Sequence, residues 1–531
     1  MMAVSVRSLL PLKFLKFLFF SLFTVASLGV TQNSHTIRVI EYPVSSSPPT
    51  PVPLTLLRSS GNYLQYYTDS SGTISLTSFD LLSQTVDFNV YADGYSLSNV
   101  QPPGTSVETY PSPYDNLVQI TTTLNSETTI YMTRDQPAKR EYRLTGSGLY
   151  VEAYAAQKSE VIPSSIKRSG REVIDDVKVL GQDTLMLGSY KNETYFFFGD
   201  TTCLQSARQN NCEGYGMYTV GAKFPGAVDP DEPPALKYFK EKDGGFEHVK
   251  PMAVVEPLEQ NSWVAGVIVL GDRMYANYVK NPGDGESAGA IATGMMVWDD
   301  EEEEFHVVSV WPDDHGFLNG AHTIQRLGPD EVNDGYIYFD NNLRVKRLEE
   351  SILDHLAYEI YDYTVGSWVQ YDHDAAKFRR RFNGRRPKLT RDSGEPQSLG
   401  VTSVEWNEHL KSYLCLLDAG RGELWLGVAN TLTPFPKFTT ESDGVFKVAD
   451  HSTSGSSCYN QILIPQLYSS SDSVVRFACT FTSMWSENTS DEPTWTTCLF
   501  GMKFGDGCSE NVGRYEYNNL VYSVDLRELY K

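Results

Sequence analysis

Between about Val173 and Leu526 the chain repeats one hydrophobic pattern five times: a short apolar strand, a tight polar turn, then a second strand rich in Tyr, Phe or Trp. The clearest copies are Asp183–Thr201 (DTLMLGSYKNETYFFFGDT), Ser262–Val279 (SWVAGVIVLGDRMYANYV) and Asp334–Leu348 (DGYIYFDNNLRVKRL). Ser403–Asp418 (SVEWNEHLKSYLCLLD) and Gln461–Thr482 (QILIPQLYSSSDSVVRFACTFT) complete the set. Apolar and aromatic runs broken by Gly, Asn and Asp predict β-hairpins. A hairpin recurring every ~60–80 residues cannot bury both its faces alone, so neighbouring units must stack. Radial stacking of four-stranded sheets predicts an all-β fold, a five-bladed β-propeller. Helical periodicity is sparse, and its best example is the short amphipathic stretch Leu348–Tyr358 (LEESILDHLAY).

Upstream of the repeats, Leu54 to Ala156 alternates in short strands such as TVDFNVYADG, with turn signals such as Asp93-Gly94 between them. This predicts a small N-terminal β-domain over 54–158; the alternative is a larger propeller that uses these strands as two further blades. The first residues read as a secretory signal over 1–29. Arg7, Lys13 and Lys16 precede the apolar run Phe17–Val30, and Ser27 and Gly29 offer a cleavage site. An uncleaved anchor is the competing reading. Glu41–Pro53 (EYPVSSSPPTPVP) predicts an extended Pro/Ser-rich linker over 30–53. Ser159–Glu172 reads as a junction, where Lys167-Arg168 is either a processing site or an exposed charge pair. The propeller domain then spans 173–531. No later stretch reaches the ~18 apolar residues of a membrane helix, so the expectation is a secreted, extracellular protein with no membrane partner after signal cleavage.

Charge narrows the partners further. Lys+Arg 44 against Asp+Glu 67 gives a net −23, which argues against nucleic acid or an anionic membrane surface as the main partner. Two runs stand out locally. Asp299–Glu304 (DDEEEE) lies between two apolar strands and reads as a solvated hairpin turn, with a structural calcium site as the sharper alternative; no other cofactor is expected. Lys377–Lys388 (KFRRRFNGRRPK) is a basic insertion, read as a surface loop, a protease site or a clamp for an anionic glycan. All seven Cys lie beyond the signal. In an oxidising compartment near neighbours pair, which suggests Cys203–Cys212, Cys498–Cys508 and Cys458–Cys479. Cys415, inside SYLCLL, is left as a packed thiol. Asn192 and Asn488 open glycosylation sequons.

The chain contains no nucleophile elbow, P-loop, dinucleotide fingerprint or HExxH motif. What remains is a set of carboxylates at strand ends among aromatics. Hydrolysis of a glycosidic bond needs two carboxyl groups, one to protonate the leaving oxygen and one to activate water or attack the sugar. In the first repeat Gly181-Gln182-Asp183 precedes one strand and Phe198-Gly199-Asp200-Thr201 ends the next, so Asp183 and Asp200 bracket a single hairpin. The competing reading is that both cap turns or bond backbone amides, as Asp often does.

The run GQD followed by FFFGDT resembles the opening blade of five-bladed, glycosidase-like propellers, and in particular that of domain-of-unknown-function family 4185. Tyr336-Ile-Tyr, Ala357-Tyr-Glu-Ile-Tyr-Asp with Trp368, and Thr402-Ser-Val-Glu-Trp-Asn through Tyr413 to Glu423–Asn430 are similar as well. More distantly the pattern is similar to propellers of the glycoside hydrolase family 43 type. The resemblance implies that Asp183 and Asp200 are catalytic carboxylates, without dividing acid from base between them. Glu405 is a third candidate because it stands at the head of the fourth repeat, where strand alternation equally places it on a solvent face. The chain departs from the family pattern in its long insertions and in Ser457-Cys-Tyr-Asn-Gln, where a carboxylate or His is absent. His315 and His322 (DDHGFLNGAH) are lower-ranked candidates for lining the channel.

The leading expectation is therefore a secreted glycoside hydrolase that cleaves a polysaccharide with paired carboxylates. A non-catalytic carbohydrate-binding or cell-surface interaction propeller is the alternative. A structural wall or matrix protein, suggested by the Pro/Ser segment and the acidity, ranks third.

Overall fold

The computed structural model describes residues 34–43, 48–52, 55–59, 65–68, 71–76, 85–92, 94–103, 105–108, 117–123, 125–144, 179–203, 219–225, 234, 236–243, 246–255, 262–280, 292–312, 318, 321–362, 365–371, 388–390, 396–398, 400–419, 422–432, 445–450, 457–486 and 512–529. These residues are almost entirely β. Among them, helix is confined to Glu349–Leu353, Leu526–Leu529 and two single 3-10 turns. No helix among them is long and apolar enough to cross a membrane. The signal segment, the basic run before Lys388, His315, Cys212, Cys498, Cys508 and Asn488 lie outside the described residues, and of Cys203 only the backbone is described.

Each of the five repeats forms its hairpin, and each hairpin lies within a four-stranded antiparallel sheet. The first sheet is Leu185–Tyr190, Glu193–Phe198, Val220–Pro225 and Lys237–Tyr238; the second is Ser262–Leu270, Arg273–Lys280, Ala292–Asp299 and Glu304–Trp311. The third comprises Tyr336–Tyr338, Leu343–Lys346, Glu359–Asp362 and Ser367–Gln370, and the fourth Gly400–Asn407, Ser412–Asp418, Glu423–Ala429 and Val445–Asp450. The fifth has Ser457–Leu463, Val474–Ser486 and Val512–Asp525, with a fourth strand, Lys139–Arg143, from far upstream.

Packing explains why the strands read as continuous apolar runs. In the first sheet Tyr195 and Phe197 face the second sheet, against Val264, Met274 and Trp298. Phe196 and Phe198 face the other way, onto Ile462, Ala478 and Val521 of the fifth. Ile268 and Met295 then meet Ile337 and Val345 of the third sheet, Tyr338 meets Trp406 and Trp425 of the fourth, and Leu414 and Leu416 meet Phe477 and Tyr522 of the fifth. The cores thus return to their starting sheet, and each sheet contributes residues to two of them. Alternation of polar and apolar residues disappears where both faces are covered. Phe197, with Phe305 5.1 Å and Trp298 5.9 Å away between ring centroids, stabilises this junction by about 2–3 kcal/mol through burial alone.

Two boundaries differ from the sequence reading. Lys139–Arg143 falls inside the expected N-terminal domain, but it pairs antiparallel with Val512–Asp525 and so completes the last sheet. Its local pattern, KREYR, carries no information about that long-range partner. His35–Glu41 falls inside the expected linker, yet it is a central strand, parallel to Glu127–Arg134 and antiparallel to Thr73–Leu76. HTIRVIE alternates buried and less buried residues, and the Pro-rich stretch begins only after it. This strand belongs to one of two N-terminal sheets, of four and five strands, which share a core of Ile37, Val39, Leu57, Phe88, Ile120 and Met132. Every buried residue of that core lies between 37 and 132, so it is separate from the five others.

The acidic run forms the expected hairpin turn. Asp299 Oδ1 accepts the amides of Glu301 (2.8 Å) and Glu302 (2.9 Å), and Lys250 reaches Glu304 at 2.7 Å. Glu302, Glu304 and His306 bring their ligand atoms within 4.8 Å of one another on this exposed turn. Cys458 and Cys479 form a disulfide within the fifth sheet, and Cys415 is a buried free thiol.

Candidate active site

The first repeat is one long hairpin interrupted once. Val179–Gln182 pairs with Thr201–Cys203, and Leu185–Tyr190 with Glu193–Phe198. The break between them is Asp183-Thr184 on one side and Gly199-Asp200 on the other. The Asp183 amide donates to Asp200 O (3.0 Å), and the Gly199 amide to Asp183 O (2.9 Å). The two carboxylates named from sequence are therefore brought together at a single register defect.

The break is held in uncommon backbone. Thr184 has φ +38° and Asn460 φ +49°; a β-branched residue in the left-handed region is a real outlier, and such outliers cluster at functional sites. The two are linked, because Asn460 Nδ2 donates to Thr184 Oγ1 (2.5 Å) and the Thr184 amide donates to Thr480 Oγ1 (2.9 Å). Gly199 is required by close approach: a Cβ there would overlap Asp183 Oδ1.

Three sheets contribute the polar partners. Asp183 Oδ1 accepts the Asp200 amide (2.6 Å), and Oδ2 accepts the hydroxyl of Tyr459 from the fifth sheet (3.2 Å). Asp200 Oδ1 accepts Nε1–H of Trp263 from the second sheet (3.0 Å). Asp200 is pushed up to about 7, first by burial and then by the neighbouring Asp183 charge, while the Trp263 hydrogen bond pulls it down. The pair thus contains one carboxyl poised to hold and release a proton near neutral pH. Both side chains keep partial solvent access.

Glu405 is elsewhere. It is only 3% exposed, so the solvent-face alternative does not hold. Its oxygens accept the amides of Gln325 (3.2 Å) and Arg326 (2.7 Å). The Gln325 side chain in turn reaches Leu187 O (3.4 Å), near the far end of the strand that begins after Asp183. Burial pushes Glu405 up to about 8, against the pull of those two amides. The structure therefore does not bring Glu405 to the Asp pair.

His322 lies between the two ends. Nδ1 contacts Asp340 Oδ2 (2.9 Å) and Thr402 O (3.0 Å), and Nε2 contacts Leu185 O (3.3 Å). All three partners present oxygens to the ring. Burial pulls the His322 pKa down, but Asp340 together with the carbonyls of Thr402 and Leu185 holds it above its ordinary value. This histidine ties the first and fourth sheets together across the interior.

Sequence reasoning missed Trp263 and Tyr459. Trp263 opens the second repeat, at the position that corresponds to the start of the first repeat's strand, and that equivalence was the available signal. Tyr459 sits in the segment noted for lacking a carboxylate or His, where its hydroxyl meets Asp183 instead.

No family model matches the chain, and no curated protein matches it. Family 4185 therefore remains a likeness of motifs. Solved structures of similar shape include a Bacteroides ovatus ATCC 8483 protein provisionally described as a hydrolase, with 10% identity, TM-score 0.41, and coverage of 67% of this chain and 88% of that one. A GH43_1 enzyme from Xanthomonas citri complexed with xylotriose matches at 10% identity and TM-score 0.29, over 70% of this chain and 92% of that one. Trypanosoma rangeli sialidase matches at 10% identity and TM-score 0.29, over 89% of this chain and 58% of its own. At this level no residue of theirs is assigned to a residue here, and the reading of the site rests on its own geometry.

Proposed function

We propose that the five sheets are the blades of a five-bladed β-propeller, closed by Lys139–Arg143 and preceded by a β-sandwich domain, and that the protein is a secreted glycosidase acting on a polysaccharide. The observation that carries the functional reading is the Asp183/Asp200 pair: two partly exposed carboxyls at one register break, one of them held near pH 7. In this reading protonated Asp200 is the general acid and gives its proton to the leaving glycosidic oxygen as the C–O bond breaks. Asp183 supplies the second carboxylate. Its oxygen reaches the Asp200 amide, so the two carboxyls are within one aspartate side chain's reach of each other. That suits the short separation of a retaining pair, about 5–5.5 Å, better than the wider gap of an inverting one. Trp263 and Tyr459 hold the two carboxyls in place.

Reducing-end release from a panel of arabinans, xylans, galactans and algal polysaccharides tests this, with Asp200→Asn and Asp183→Asn beside the wild type. Release that disappears in both variants supports the reading; undiminished release in both sinks it. A binding propeller without catalysis is the second reading, and one observation favours it: Glu405, the third carboxylate, is sealed away from the pair. Retention on one polysaccharide in an affinity gel with no product would select it.

A further inference from the structure

At the opposite end of the same interior lies a cavity of about 530 Å³ that the Asp pair does not reach. Its walls are the last residues of the inner strands, Leu187–Ser189 and Val267–Val269, with Thr323–Arg326, Arg347 and Pro465-Gln466. Leu185 and Ser189 are four positions apart on the strand that starts after the Asp183-Thr184 break, so about 13 Å of strand separates that end from Ser189. In a chain of net charge −23, the charged residues among the described residues that line this cavity are Arg326 and Arg347. Glu405 stands behind the wall and accepts backbone amides rather than facing the space.

The cavity is a built site. Arg326 Nη2 donates to the carbonyls of Pro465 and Tyr468, and its guanidinium lies 4.9 Å from the Tyr468 ring centre. Gln466 Nε2 donates to Ser189 Oγ (3.1 Å) and Gln325 Oε1 (2.5 Å), which joins three sheets at one amide. Arg326 Nη1, Gln466 Oε1 and the Tyr468 hydroxyl are buried in this wall with no hydrogen-bond partner. These atoms have no accessible surface and stay within the wall, so the cationic group that a ligand in the space can reach is the exposed Arg347. Planar guanidinium groups suit oxyanions, amides and hydroxyls suit a polyol, and Val267, Ile324 and Pro465 offer an apolar wall for a ring face. The volume falls within the range of small-ligand sites.

We infer that this cavity binds a sugar of one or two rings bearing an oxyanion, a carboxylate or a sulfate ester, with Arg347 as the anion contact. The inference is independent of the glycosidase reading, because it uses none of the residues at the other end. Calorimetric titration of the full chain with glucuronate, glucose 6-sulfate, glucose and inorganic sulfate tests it. The expected result is saturable binding of at least one of the two anionic sugars and none of glucose at the same concentrations. Whichever anionic sugar saturates identifies the oxyanion. Arg347→Gln, at an exposed position, is expected to weaken that binding at least tenfold, and Asp200→Asn to leave it unchanged. Absence of saturable binding by both anionic sugars overturns the inference. So does equal binding in Arg347→Gln, loss in Asp200→Asn, or inorganic sulfate binding as tightly as the sulfated sugar.

Discussion

Two carboxyl groups in this molecule share one electrostatic signature and differ in everything else. Asp200 is pushed up to about 7 and Glu405 to about 8, each mainly by burial. Glu405 is sealed, and both its oxygens are taken by backbone amides that fix the path of Gln325 and Arg326. Asp200 keeps partial access, accepts the Trp263 indole N–H, and faces a like charge from Asp183. A shifted pKa therefore does not by itself mark a reactive group. The shift at Glu405 is a by-product of using a carboxyl as a backbone clamp, whereas the shift at Asp200 comes with a second carboxylate and an open side.

The sharpest way to break this comparison is to remove each carboxyl in turn. Asp200→Asn is expected to lower polysaccharide release by about 10²–10⁴-fold, the usual worth of a general acid, with no loss of melting temperature. Glu405→Ala is expected to do the reverse. It leaves two buried amides without acceptors and costs about 2–5 kcal/mol of stability, with release per folded molecule retained. Release assays paired with thermal melts read both effects, and a Glu405→Ala protein that melts normally but is inactive would reverse the assignment. Gly199→Ala comes next. The added methyl overlaps Asp183 Oδ1, so a cost of about 1–3 kcal/mol and a marked drop in release are expected together. A variant that retains full activity would show that Asp183 need not hold its present position.

The pH dependence of stability follows in size. Asp200 ionises at about 7 in the folded chain against an ordinary value of 3.8. Between about 4 and 7 the folded form keeps a proton that the unfolded form has lost, so this group's contribution is full below about 4 and is lost as pH rises to about 7. Asp200→Asn removes that penalty. Denaturation midpoints measured from pH 5 to 8 should therefore fall less steeply in the variant than in the wild type. Parallel curves would mean that Asp200 is not shifted.

The sequence made the repeats legible because each hairpin is a local object: its turn, its two strands and its apolar content lie within twenty or so residues. The pairing of Asp183 with Asp200 was legible for the same reason, since one hairpin contains both. What lay beyond reach was non-local. Nothing in KREYR announces that Lys139–Arg143 pairs with Val512–Asp525. Nor does Tyr459 advertise that its hydroxyl meets a carboxylate 276 positions away. The solvent-face reading of Glu405 failed for a related reason. Alternation along a strand decides between core and solvent only when one face is wet, and in the fourth sheet Val404 packs toward the third sheet while Glu405 turns inward to Gln325 and Arg326.

The smallest expected effect is also the most discriminating. Trp263 Nε1–H donates to Asp200 and favours its ionised form, opposing the burial that raises its pKa. Trp263→Phe keeps an aromatic ring but removes that donor. Loss of a hydrogen bond to a charged acceptor worth about 1.5 kcal/mol corresponds to about one pH unit, and the direction is upward, because the charged form loses support. If Asp200 must be protonated to act, activity falls as pH rises through about 7 in the wild type, and this descending limb should move to higher pH in Trp263→Phe. At pH 8 the variant would then hold a larger share of its own maximum than the wild type does of its own. A purely structural role for Trp263 lowers activity equally at every pH and leaves the limb in place, so a pH–rate profile of the two proteins separates the alternatives. A limb that instead rises with pH through about 7 in the wild type, and moves to higher pH in the variant, would show that Asp200 works as the base, not the acid.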